Sequence, residues 1–148
     1  MPGASYGQRV PAPTPAVTLS ATLQTPPDEV YAFIVDPRHL PLWAAGLAKS
    51  VEQRDGVWVV DSGAGEWTVE FAEHNAFLVA DHVVTQPDGS KQLNPMRVLH
   101  NGLGSEVTFT VFRGEVATDD EWQALQATIQ ADLHAIEPAL RRLTGIQA

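Results

Sequence analysis

Hydrophobic residues recur at steps of three and four through residues 118–143, at Trp122, Leu125, Ile129, Leu133, Ile136, Leu140 and Leu143. That spacing places them on one side of an α-helix, with charged and amide side chains opposite. Thr118 and Glu121 form a Thr-x-x-Glu capping box; Asp119 and Asp120 sit at the positive end of the helix dipole, Arg141 and Arg142 at the negative end. Gly145 supplies the stop. About 25 residues of helix are roughly 37 Å long, enough to cross a small domain. Pro138 removes one backbone donor and predicts a bend in the last two turns. A stripe of this length requires a broad apolar partner.

The residues before it read as that partner. Residues 16–24 alternate, with Val17, Leu19, Ala21 and Leu23 on one face and Thr18, Ser20, Thr22 and Gln24 on the other, which predicts a half-buried strand. Thr25 and Pro26, with Asp28 and Glu29 behind them, open a short helix that turns Val30, Phe33 and Ile34 inward and ends at Asp36-Pro37. Asp36 caps a second short helix with Leu40, Trp43 and Leu47 inward and Gly46 near its end. Strand patterns then occupy residues 50–54, 57–61, 67–73, 77–86, 92–99 and 106–113. Asp55-Gly56, Gly63-Ala64-Gly65, His74-Asn75, Asp88-Gly89 and Asn101-Gly102-Leu103-Gly104 separate them. Strands this closely spaced form an antiparallel meander, because parallel strands need longer crossovers. The expected class is α+β: a seven-stranded curved antiparallel sheet, two short helices after strand 1, and a long C-terminal helix over the concave face. Residues 1–15, with four prolines, read as a flexible Pro-rich tail, and residues 16–148 as a single domain.

This order, together with several local phrases, resembles the START/Bet v 1-like superfamily (SRPBCC, helix-grip fold). The phrases are Asp36-Pro37-Arg38-His39-Leu40-Pro41-Leu42-Trp43, Asp81-His82-Val83-Val84, Asp88-Gly89, and Asn101-Gly102-Leu103-Gly104-Ser105-Glu106-Val107. Within it, the bacterial polyketide cyclase/dehydrase-like proteins are the nearest group. The resemblance spans residues 16 to about 144, is specific for the fold and says little about activity, since one fold hosts many functions. It implies a hydrophobic cavity between the sheet and the long helix.

Turn parity says which side chains face that cavity. Trp67, Val69 and Phe71 set the inner face; an even turn at His74-Asn75 carries it to Leu78, Ala80, His82 and Val84. If the Asp88-Gly89 turn is also even, Leu93, Pro95, Arg97 and Leu99 follow. Val107, Phe109 and Val111 also belong inside, which then demands an odd loop around Gly102. On this register His82 is the one catalytic candidate, as a general acid or base. The ligand-binding candidates are Trp43, Trp67, Phe71, His82, Arg97, Phe109, Trp122, Gln126 and Ile129. Arg97 has two readings: it holds a ligand carboxylate or enolate, or it pairs with Glu70 or Asp81 on the outer face. His82 likewise is either a ligand contact or a hydrogen-bonded core histidine, and the tryptophans either line a pocket for a flat molecule or fill the core. Asp132 and Gln126 lie on the helix flank, and the spacing sets no second titratable group beside His82.

Composition narrows the choice of partner. A net charge of -9 argues against a nucleic-acid module, which needs a basic stripe, and against an anionic membrane surface. Cysteine is absent, which excludes disulfides and thiolate chemistry. No apolar run reaches membrane-spanning length and the first residues lack the pattern of a signal peptide, so the expected location is cytoplasmic. The five histidines never fall into a His-x-x-x-His spacing; no metal and no cofactor are expected. Three functions remain: a protein that binds a hydrophobic or aromatic small molecule, a polyketide cyclase/dehydratase-like enzyme using His82, and a protein–protein adaptor working through the outer sheet face. Phe77, Val79 and Val83 on that face favour a homodimer contact.

Overall fold

The computed structural model describes residues 12–114 and 117–145. The expected tail falls mainly outside them; residues 12–15 are exposed and without regular structure. Strand β1 (Ala16–Leu23) leads to helix α1 (Pro27–Ile34), a 3-10 turn (Pro37–His39) and the one-turn helix α2 (Leu40–Trp43). The strands β2 (Ser50–Arg54), β3 (Val57–Asp61), β4 (Glu66–Phe71), β5 (His82–Thr85), β6 (Lys91–Asn94), β7 (Met96–Asn101) and β8 (Gly104–Phe112) follow, and then α3 (Asp119–Thr144).

All pairings are antiparallel. One sheet has the order β1-β8-β7, the other β2-β3-β4-β5-β6. The predicted strand 92–99 is cut at Pro95, which has no amide hydrogen to offer a ladder, so seven predicted strands become eight among the described residues. Across the cut, Ala80 N–H donates to the Met96 carbonyl at 2.8 Å and Val98 N–H to the Leu78 carbonyl at 3.1 Å. Asp81 completes the join by accepting the Met96 N–H at 2.8 Å.

The helix ends follow the sequence. Thr118 accepts the Glu121 N–H and Glu121 accepts the Thr118 N–H, a complete capping box, and Gly145 closes α3 in the left-handed conformation. Trp122, Ile129, Leu133, Ile136 and Leu140 are buried, while Leu143 is exposed. Asp36 accepts the Arg38 N–H and caps the 3-10 turn. Thr25 does not cap α1. Pro26 holds the cap position with no side-chain bond, and the Thr25 hydroxyl donates instead to Glu137 on α3. The second helix also ends sooner than expected, at Trp43, which leaves Leu47 exposed on the following connection.

Candidate functional site

Between the concave face and α3 lies a cavity of about 490 Å³. Trp43, Val69, His82, Phe109, Ile129 and Leu133 form its buried interior. Its mouth runs past Gly46 and Leu47 after α2, Ala64 in the β3–β4 turn, and Gln86 and Gln92 of the β5–β6 hairpin, all exposed. A second depression of about 530 Å³ runs along Val57, Thr68, Glu70, Val83, Thr85 and Lys91 on the outer face of the larger sheet. Among the described residues no buried titratable group borders it, whereas His82 and Asp132 border the concave-side cavity. The latter is the candidate site.

His82 faces inward because parity survives from β4 to β5. Phe71 pairs with His82 and Val69 with Val84, across a ten-residue connection that is even. The imidazole is buried between two aromatic rings, with centroids 4.8 Å from Phe71 and 5.9 Å from Phe109. Its Nδ1 lies 3.1 Å from the Ala80 carbonyl. A carbonyl only accepts, so in the neutral ring Nδ1 carries the proton and Nε2 is left as an acceptor. Burial lowers the pKa of His82, against smaller opposing effects of the Ala80 carbonyl and the Asp81 charge.

Parity fails at the next hairpin. Thr85 pairs with Lys91 and Val84 with Gln92, so the connection is the five-residue stretch 86–90, which is odd. It turns Leu93 outward and puts Gln92 and Asn94 on the cavity face, Asn94 directly opposite His82. Beyond Pro95 the inner residues are Met96 and Val98, both buried, while Leu99 is exposed. Arg97 therefore does not line this cavity, contrary to the even-turn register. Its Nε and Nη2 donate to the two carboxylate oxygens of Asp81, each at 3.0 Å, on the outer face. The Arg97 guanidinium holds the Asp81 carboxyl below its usual range. The β7–β8 loop is the two-residue Gly102-Leu103, with Asn101 opposite Gly104, so no odd loop was needed to bring Val107, Phe109 and Val111 inside.

Of the other candidates, Trp43, Trp67, Phe109 and Ile129 line the cavity. Phe71 reaches it only through its contact with His82. Trp122 and Gln126 do not line it: Trp122 is buried in the core, and the Gln126 amide donates back to the Trp122 carbonyl at 3.3 Å. The Trp43 indole N–H is buried and has no partner among the described residues.

Asp132, expected on the helix flank, lies inside. It is 9% exposed and borders the cavity from α3. Burial pushes its carboxyl up to about 6, against a smaller opposing effect of the Gly46 backbone amide. Gly46 comes this close because it has no side chain; a Cβ there would collide with Thr128 and lie 3.6 Å from Asp132 Oδ1. A signal was present in the spacing. Asp132 stands three residues after Ile129 and four before Ile136, on the buried stripe itself.

No protein-family model matches the chain, and no curated protein matches it in sequence. Solved structures do. A START superfamily protein from Mycobacterium smegmatis superposes with a TM-score of 0.68 at 13% identity, covering 86% of this chain and 98% of its own. The ZhuI aromatase/cyclase from Streptomyces sp. R1128 gives 0.62 at 20%, with 88% and 96% covered. Ara h 8.0201 gives 0.63 at 18%, with 86% and 97% covered. The chain shares the helix-grip fold of these structures.

Proposed function

We propose that the protein binds a hydrophobic or aromatic small molecule between its sheet and α3. One observation carries the reading: about 490 Å³ of space stands where a domain core is ordinarily close-packed, walled by Trp43, Val69, Phe109, Ile129 and Leu133. That volume lies in the roughly 300–1,000 Å³ range of small-molecule pockets, and the wall has their usual make-up, apolar with a few polar groups. Titration with N-phenyl-1-naphthylamine tests it. The dye should bind near one per chain and be lost in Leu125→Trp, which fills the cavity from α3. Binding unchanged by that substitution would place the dye elsewhere and overturn the reading. Native mass spectrometry of the purified protein would then identify any molecule that it retains.

The burial of His82 beside this space favours a second reading, an enzyme of the cyclase/dehydratase kind. With its pKa lowered, the ring is neutral at pH 7 and its Nε2 accepts a proton rather than giving one. Loss of His82 from such an enzyme would cut turnover by about 10²–10⁴-fold with little change in binding. In a binding protein His82→Ala would only weaken the ligand by about one hydrogen bond, roughly 0.5–1.5 kcal/mol.

A further inference from the structure

We propose that Asp132 selects the charge of the ligand: the cavity takes a hydrophobic amine, its ammonium set against the Asp132 carboxylate, in preference to a neutral or anionic molecule of the same shape. The inference rests on the cavity reading above and names the class of ligand.

Three features of the lining point the same way. Asp132 is more than nine-tenths buried, borders the empty space, and makes no ion pair among the described residues. Among the described residues no lysine or arginine lines the cavity, and Arg97, the residue that would have served an anion, is committed to Asp81 outside. His82, the other buried titratable group of the interior, offers an acceptor at Nε2 when neutral, so it also suits a donor. A carboxylate removed from water at a cost of several kcal/mol is a stabilising contact only when a cation comes to meet it.

The surroundings of Asp132 do not supply that cation. On its own helix Thr128 is the near neighbour, and the connection after α2 brings the Gly46 amide, a weak partner. Lys49, further along that connection, turns its Nζ to the Ala45 carbonyl at 3.2 Å. The sheet brings only His82 as a titratable group, and neither His82 nor Asp132 carries a charge effect from the other. The polar amides Gln92 and Asn94 complete the sheet side of the lining without adding charge.

The test uses three probes that share a naphthalene body: naphthalen-2-ylmethylamine, 2-naphthalenemethanol and 2-naphthoate. Each displaces N-phenyl-1-naphthylamine from the full chain at about pH 7.5. The amine should compete at least about fivefold better than the alcohol and the carboxylate at least about fivefold worse, the scale of one partly buried ion pair. Asp132→Asn, which keeps the shape, should bring amine and alcohol within about twofold while leaving the alcohol unchanged. The wild-type preference should also shrink as pH falls through about 6, where Asp132 takes up its proton. Protonation of His82 on acidification would also repel the amine, so the pH series is repeated in Asp132→Asn. A flat series there assigns the effect to Asp132; an unchanged fall assigns it to His82 and overturns the inference. Neutral probes that bind with no preference for the amine overturn it while leaving the cavity reading intact. Binding of none of the probes overturns both.

Discussion

The carboxylate of Glu137 on α3 grips Thr25, at the corner between β1 and α1, by two hydrogen bonds: from its backbone N–H at 2.7 Å and from its hydroxyl at 2.6 Å. A third comes from the Gln24 N–H at 3.2 Å. The corner needs this help because Pro26 leaves α1 without a side-chain cap. Burial acts to raise the pKa of Glu137, but the bonds from Thr25 and Gln24 and the charge of Arg141 outweigh it, and the net effect is a lowered value. A carboxyl whose pKa is lower in the folded chain contributes stability above its ordinary value of 4.5, and that stability is lost as pH falls through the folded value. Glu137→Gln should therefore cost about 1.5–3 kcal/mol at pH 7 and progressively less below about pH 4.5, read by urea denaturation at both pH values.

Asp132 has the opposite sign. Its pKa of about 6 lies above the ordinary 3.8, so the folded chain takes up this proton first as pH falls. Its contribution is complete below about pH 4 and is lost as pH rises through 6. In the ligand-free protein Asp132→Asn should add about 1–2 kcal/mol at pH 7 and nothing near pH 4. His82, whose pKa burial lowers, works against this trend by losing stability as pH falls below 6.5. The asparagine variant should thus show a steeper loss on acidification than the parent. A parent and variant with parallel pH curves would contradict the placement of Asp132.

Gly104 is required by a close approach and not by its backbone angles. A Cβ there would lie far inside contact distance of the Leu23 carbonyl oxygen, with Gln24 Cα 3.3 Å away, and both are backbone atoms. Gly104→Ala should destabilise the chain by about 1–3 kcal/mol, the usual cost of overpacking. Gly114→Ala, where a Cβ meets nothing within 4 Å, is the matched control and should melt within a degree or two of the parent.

Arg97 and Asp81 should separate cleanly. Arg97→Ala removes a half-exposed ion pair, costs under about 1 kcal/mol, and leaves probe binding as it was. Asp81→Ala also orphans the Met96 N–H at the Pro95 break, so its cost should be the larger of the two in the same denaturation assay. A loss of binding in Arg97→Ala would mean that its side chain does enter the cavity.

The element order, the caps of α3 and the inward course of β4, β5 and β8 were all readable from period and turn chemistry. These are local signals. The register after Asp88-Gly89 was not, because Asp-Gly serves a two-residue turn and equally an odd loop that ends on a left-handed glycine; here the Gln86 N–H bonds the Ser90 carbonyl around Pro87-Asp88-Gly89, with Gly89 at φ 88°. One clue stood in the sequence. The even count there forced an odd loop at Gly102, whereas Asn-Gly ordinarily signals a two-residue turn. The conflict marked the earlier step as the faulty one. Asp132 falls on the buried stripe by its spacing from Ile129 and Ile136, but a charged residue there is ordinarily at the flank, and the packing under Gly46 is what holds this one inside.

The two sheets differ in how far the chain must travel to build them. Strands β2 to β6 each pair with their sequence neighbour, while β1 reaches β8 from Ala16↔Phe112 to Leu23↔Ser105. Closing a loop of about 90 residues carries an entropic cost that neighbouring hairpins do not meet, and non-local pairing of this kind slows folding. The consequence is an order of assembly: the meander first, β1 last. Leu19→Ala should then quicken unfolding and leave the refolding rate nearly unchanged in stopped-flow traces, whereas Val60→Ala, within the meander, should slow refolding. Helix α2 stands on the connection between β1 and β2, so the wall of the cavity that bears Trp43 belongs to the link between the late strand and the early meander.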